Sequence, residues 1–133
     1  MKILAVSPHP DDETLGAGGT LLKYKKRGSQ IYWLNITDMR TEDGWDEKIV
    51  AHRREQIRAV RDFYQFDGAY NLALSPTKLQ SLEEGEIING IRKVFQEVEP
   101  EWIIIPGRYD AHSDHRVVYD CCMACAKTFR APY

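Results

Sequence analysis

The sequence predicts an α/β fold with a mostly parallel sheet, and three features carry that prediction. Short apolar runs alternate with longer segments of helical periodicity. The runs KILAVS (2–7) and WIIIP (102–106) are apolar almost throughout, as expected of strands covered on both faces. The segments joining the runs are long enough for right-handed crossover helices, and no tract rich in Pro, Gly or Ser divides the chain. The 133 residues therefore read as a single domain, 1–133, large enough to bury a core without disulfides.

In order, the first strand is 2–7, followed by a helix from Glu13 to Arg27 that Gly28 stops. QIYWLNIT (30–37) is β-branched and aromatic, hence a second strand. A polar loop, DMRTEDGW, leads into a long helix from Asp46 to Phe66 with Ile57, Val60 and Tyr64 facing inward. AYNLAL (69–74) is a weaker third strand after Gly68. The segment 81–99 spaces Leu82, Ile87, Ile88, Ile91, Val94, Phe95 and Val98 along one helical face. Pro100, the fourth strand (102–106), a polar loop and a helix from Asp114 to Thr128 complete the pattern.

Composition excludes several classes. Apolar residues at 43% and charged residues at 29% are those of an ordered globular protein. A net charge of −2 and a pI near 6.1 argue against a dedicated nucleic-acid binder, which would carry a basic face. The one basic run, KYKKRG (23–28), falls at a helix end, where cations complement the helix dipole. Met1–Val6 is too short for a signal peptide, and no run reaches the roughly 18 apolar residues of a membrane span, so the expected location is cytoplasmic. Cys121, Cys122 and Cys125 are an odd set on one helical segment. Without a second CxxC they read as core packing, not as a zinc knuckle or a redox pair.

Two polar clusters stand out because of where the fold puts them. PHPDDE follows the first strand and GRYDAHSDH (107–115) the fourth, each at the carboxyl end, where parallel sheets bind ligands. Taken singly, each has a plain reading: Asp11 or Asp12 caps one helix, and Ser113 or Asp114 caps another. Together, His9, Asp12 and His115 supply two imidazoles and a carboxylate, the donor set of a catalytic zinc with one position left for water. The same set describes a non-haem iron triad. The surplus groups favour hydrolysis: Asp11 is free to act as general base, and His112 to act as acid or oxyanion stabiliser.

Two further stretches are weaker. The glycines of GAGG (16–19) fall inside the first helix, not at a phosphate-binding turn, and are expected to let that helix approach the sheet or leave room above the metal. In AHRREQIRAVRDF (51–63), an arginine reaching the pocket would anchor substrate through its guanidinium fork, and His52 reads as a surface residue.

PHPDDETLGAGGTL, HRREQ and HSDHRVVY together resemble the PIG-L/LmbE-like zinc-dependent N-deacetylases, in that family's order and over essentially the whole chain. The resemblance implies a Rossmann-like three-layer fold and removal of acetyl groups from N-acetylglucosamine-containing molecules, including glycolipid, thiol-cofactor, glycopeptide and chitin-derived compounds. It implies Zn²⁺ on His9, Asp12 and His115, with another divalent ion such as Fe²⁺ compatible with the same donors. Asp11 would be the base, His112 the acid or oxyanion stabiliser, and Asp114 the residue that orients a histidine. Arg53 matches the family's substrate-contacting arginine, with Arg54 the alternative.

Two departures accompany the match. Ser113 stands where the family often has proline, a change that spares the ligand and the acid. Members usually continue well beyond this point, so the fold is expected to be shortened at its C-terminus, with a homo-oligomer or a partner completing the sheet. Two rival expectations are a metal hydrolase of another amide or ester, and a non-catalytic α/β binding module.

Overall fold

The computed structural model describes residues 1–129. Four strands, β1 (Lys2–Ser7), β2 (Gln30–Thr37), β3 (Gly68–Leu74) and β4 (Trp102–Ile104), alternate with four helices. These are α1 (Asp12–Lys26), α2 (Glu47–Tyr64), α3 (Glu84–Val98) and α4 (Ser113–Phe129). The sheet is parallel throughout, in the order β3-β2-β1-β4, with Ile3 opposite both Ile31 and Trp102. The predicted α/β architecture is the one observed.

Alternation along β1 explains the three layers. Ile3 and Ala5 point to one face and pack with Ala17 and Leu21 of α1 and Tyr64 of α2. Leu4 and Val6 point to the other, against Ile87, Ile91, Val94, Phe95 and Val98 of α3 and Val118, Cys121, Cys122 and Cys125 of α4. Both faces are covered, which is why β1 reads as an unbroken apolar run.

The three cysteines are free and fully buried, as the packing reading requires. Burial pushes the Cys121 thiol up to about 12, and raises Cys122 and Cys125 as well. Unfolded thiols ionise near their ordinary value of 9 while the folded ones keep their protons. The unfolded state therefore gains the advantage as pH rises from about 9 towards 12. The urea midpoint is expected to fall between pH 8 and pH 10.5, and more shallowly in Cys122→Ala; identical slopes would contradict this.

Several boundaries differ from the sequence reading, each for a physical reason. α2 stops at Tyr64, two residues early, because Gln65 turns left-handed at φ 51°. α3 begins at Glu84 instead of 81: Leu82 is extended, and a short 3-10 turn occupies Leu79–Ser81. β4 pairs only as far as Ile104 opposite Ala5, and Pro106 has no N–H to extend the ladder. Neither of the first aspartates caps α1. Asp11 occupies the N-cap position without a side-chain bond, and the Asp12 carboxylate folds back to accept the His9 amide at 2.7 Å.

Gly18 serves neither expectation for the glycine cluster. A Cβ there would lie 2.8 Å from the Tyr64 hydroxyl, so glycine admits α2 to α1; Gly16 and Gly19 have open space around them. At the other end of α1, Lys23, Lys25 and Lys26 fill the last turn, Lys25 donates to the Gln65 carbonyl, and Gly28 takes φ 91°. No helix among the described residues is long and apolar enough to cross a membrane.

Candidate metal centre

Chain order reverses direction beside β1: β2 and β3 lie on one side of it and β4 on the other. The crevice at such a switch point, outside the strand carboxyl ends, is where open α/β sheets take ligands. The turn after β1 delivers His9 and Asp11, and the first residue of α1 is Asp12, while the loop after β4 delivers Asp110 and His112 and the first turn of α4 carries Asp114 and His115. The β1 turn is fastened by Thr37 at the end of β2, whose amide and hydroxyl both donate to the Pro8 carbonyl, at 3.1 and 2.7 Å.

The two clusters meet. Ring centroids of His9 and His115 are 5.3 Å apart, and His112 lies 4.6 Å from His9 and 5.3 Å from His115. Donor atoms of His9, Asp12 and His115 all fall within 4.8 Å of one another, close enough to hold one metal ion. The Asp12 carboxylate is the hub, with Oδ2 lying 3.7 Å from His9 Nδ1 and 3.3 Å from His115 Nε2. Side-chain exposures of 22%, 20% and 15% leave the set shielded yet reachable.

Two more carboxylates settle how the rings face. Asp114, fully buried, accepts from His9 Nε2 at 2.9 Å, and Asp110 accepts from His115 Nδ1 at 3.0 Å. With those nitrogens donating, the opposite ones, His9 Nδ1 and His115 Nε2, are the lone-pair nitrogens of the neutral rings and lie on the Asp12 side. His112 is fixed the other way: its Nδ1 accepts the Asp114 amide at 3.0 Å, which leaves Nε2 to carry the proton in the neutral ring. His9, His112 and Asp114 also lie within coordinating distance of one another. The Asp114 carboxylate is already filled there by the Thr77 amide at 2.6 Å, the Leu79 amide at 3.2 Å and the His9 ring.

Asp110 was not singled out from the sequence. An Asx turn, with the His112 amide donating to Asp110 Oδ1 at 2.9 Å, turns its other oxygen to His115. The aspartate two residues ahead of HSDH was the available signal. Its carboxyl is held below the ordinary range, first by the His112 amide; partial desolvation opposes this and the His115 ring assists.

The centre lies between two clefts. One, of about 260 Å³, is lined by His9, Asp11, Asp38, Trp45, Arg53 and Thr77 among others. The second, of about 360 Å³, is bordered by Asp12, Glu13, Asp110, His115 and apolar residues of β1 and β4. Arg53 is half-buried in the first cleft, whereas Arg54 and His52 are exposed outside it. The structure thus separates two arginines that the sequence left as alternatives. Ser113 opens α4 at the first helical position, a place that serine and proline both suit.

Residues 4–126 match the family model described as PIG-L: GlcNAc-PI de-N-acetylase. The chain belongs to the PIG-L family. A relative, the diacetylchitobiose deacetylase of Thermococcus kodakarensis, is 31% identical over 124 residues, 86% of this chain and 45% of that protein. The probable N-acetyl-α-D-glucosaminyl L-malate deacetylase 2 of Bacillus anthracis is 27% identical over 122 residues, covering 85% of this chain and 54% of its own length. The crystal structure of the conserved protein TT1542 from Thermus thermophilus superposes with a TM-score of 0.79 at 26% identity, covering 94% of this chain and 55% of that one. This chain therefore spans about half the length of these relatives.

Proposed function

We propose that the chain forms one catalytic domain, and that it is a zinc-dependent hydrolase removing the acetyl group from an N-acetylglucosamine-containing small molecule or glycoconjugate. The observation that carries this reading is the paired carboxylate–imidazole arrangement. Asp114 and Asp110 turn a free nitrogen of His9 and of His115 towards the same Asp12 oxygen, in a crevice that opens on a cleft. Hydrogen bonding alone would not require both rings to present lone pairs to one carboxylate. A metal ion does. The names of the relatives support the substrate class.

A zinc ion on His9, Asp12 and His115 would polarise an acetamide carbonyl and make a water more acidic. Asp11, next in sequence to Asp12 and lining the cleft, takes the proton of the attacking water. His112, with its proton on Nε2, donates a hydrogen bond to the oxyanion as it develops. The proton that Asp11 took from water passes to the departing amine as the C–N bond breaks, leaving acetate and the free amine. Arg53 anchors substrate oxygens through its fork of donors at the cleft wall.

The experiment is acetate release from N,N′-diacetylchitobiose by the zinc-loaded chain, beside a panel of other amides and esters. Release from the sugar supports the reading. Cleavage confined to non-sugar amides or esters would replace it with another metal hydrolase, and no cleavage together with no zinc binding would leave a binding module. Within the active case, Arg53→Ala is expected to raise KM about tenfold with kcat little changed, the signature of lost uniform binding. Arg54→Ala should leave both constants alone; the reverse pattern would reassign the arginine.

A further inference from the structure

Glu13 is expected at a helix start simply because acids favour the first turn, where they are normally solvated. Here it is 3% exposed. Its carboxylate is the common end of two hydrogen-bond chains. In one, Trp33 Nε1 donates to Ser7 Oγ at 3.1 Å, and Ser7 Oγ donates to Glu13 Oε2 at 2.9 Å. In the other, the Tyr64 hydroxyl donates to Thr14 Oγ1 at 3.0 Å, and Thr14 Oγ1 donates to Glu13 Oε1 at 3.1 Å. Residues from β1, β2, α1 and α2 thus converge on one side chain.

Burying a carboxylate costs several kcal/mol unless it is hydrogen-bonded, and each Glu13 oxygen accepts one side-chain hydrogen bond here. What the arrangement encloses is informative. Ser7 ends β1, Glu13 lies in the first turn of α1, and the five residues between them include His9, Asp11 and Asp12. The Ser7–Glu13 bond closes the ends of that turn while Thr37 holds its Pro8 carbonyl.

We infer that Glu13 is a positioning residue for the metal centre: its clamp on Ser7 sets the span of the β1–α1 turn and so the separation of His9 from Asp12. The inference rests on the proposed metal site and concerns only how that site is held. Side chains behind ligands commonly change metal affinity by about 10–100-fold.

The test is Co²⁺ binding to the full chain, read as a dissociation constant and as the visible absorption of the bound ion. Glu13→Ala and Ser7→Ala are expected to weaken Co²⁺ binding about tenfold and to shift the spectrum. Glu13→Gln, which keeps the length and one acceptor, is expected to restore most of the affinity. Leu21→Ala loosens α1 without touching the turn and should lower stability with no change in affinity. If Glu13→Ala does not fold, Ser7→Ala decides. Folded clamp variants that bind Co²⁺ like the unaltered chain would overturn the inference and leave the metal site standing, as would an equal loss in Leu21→Ala. An unaltered chain that binds no Co²⁺ would overturn both.

Discussion

Replacing Asp11 by Asn is expected to lower the proposed acetate release by at least about a hundredfold, the usual contribution of a general base, with metal content and KM unchanged. The expectation follows from the division of labour in the β1–α1 turn. Asp12 is engaged with both imidazoles and with the His9 amide. Asp11 has its side chain exposed, makes no cap bond, and borders the cleft shared with His9 and Arg53. Asparagine keeps the size and the fold but cannot take a proton. Elemental analysis beside steady-state kinetics checks both halves. Turnover equal to that of the unaltered protein would remove Asp11 from the mechanism, and loss of metal would make it a ligand.

Asp114→Ala carries the second large effect, and it acts on stability as well as on the metal. The carboxylate is completely buried and serves two backbone amides, of Thr77 and Leu79, besides the His9 ring. The buried Leu79 amide left without a partner costs about 1–3 kcal/mol and the Thr77 amide, on an exposed residue, costs less, so the variant is expected to be about 1–4 kcal/mol less stable. His9 also loses the acceptor that selects its tautomer, and metal affinity should fall about 10–100-fold. Urea denaturation of the metal-free protein isolates the first effect, and metal titration of the folded variant the second. A stability loss with unchanged affinity would mean that Asp114 only anchors the loop after β3.

The same carboxylate explains part of what the sequence left hidden. From the residues, 81–99 has helical periodicity starting at Leu82, yet the chain enters α3 only at Glu84. The Asp114 bonds to the Thr77 and Leu79 amides favour a 3-10 turn over Leu79–Ser81, and that long-range demand has no local signature. Thr77 adopts φ 66° there, an αL conformation uncommon for a β-branched residue. By contrast, the elements governed by local pattern were legible, though not their caps and ends. The apolar runs of β1 and β4 pointed to a parallel sheet, and the parallel sheet placed PHPDDE and HSDH at one edge. That His9, Asp12 and His115 would meet followed from the fold and from chemistry, because few donor sets combine two imidazoles and a carboxylate at such a place.

Partners across the fold were legible only in part. Asp114 was reached through the family resemblance, but Asp110 sits inside a polar loop of ordinary composition and shows its role only when its turn directs Oδ2 to His115. Glu13 reads as a first-turn acid until Trp33, 20 residues on, is found at the far end of its hydrogen-bond chain. Arg53 and Arg54 are adjacent and chemically identical in sequence; only the orientation of α2 puts one in the cleft and the other in solvent. Periodicity thus places elements and motifs, whereas the groups that orient a site depend on distances across the fold.

The proposed metal site joins two sequence-distant motifs. Its most direct test is elemental analysis of the purified, reconstituted chain beside His115→Ala. About one divalent ion per chain is predicted in the first, as for a single three-ligand site, with near-complete loss in the second. No ion in either protein, or an ion retained without His115, would contradict the account.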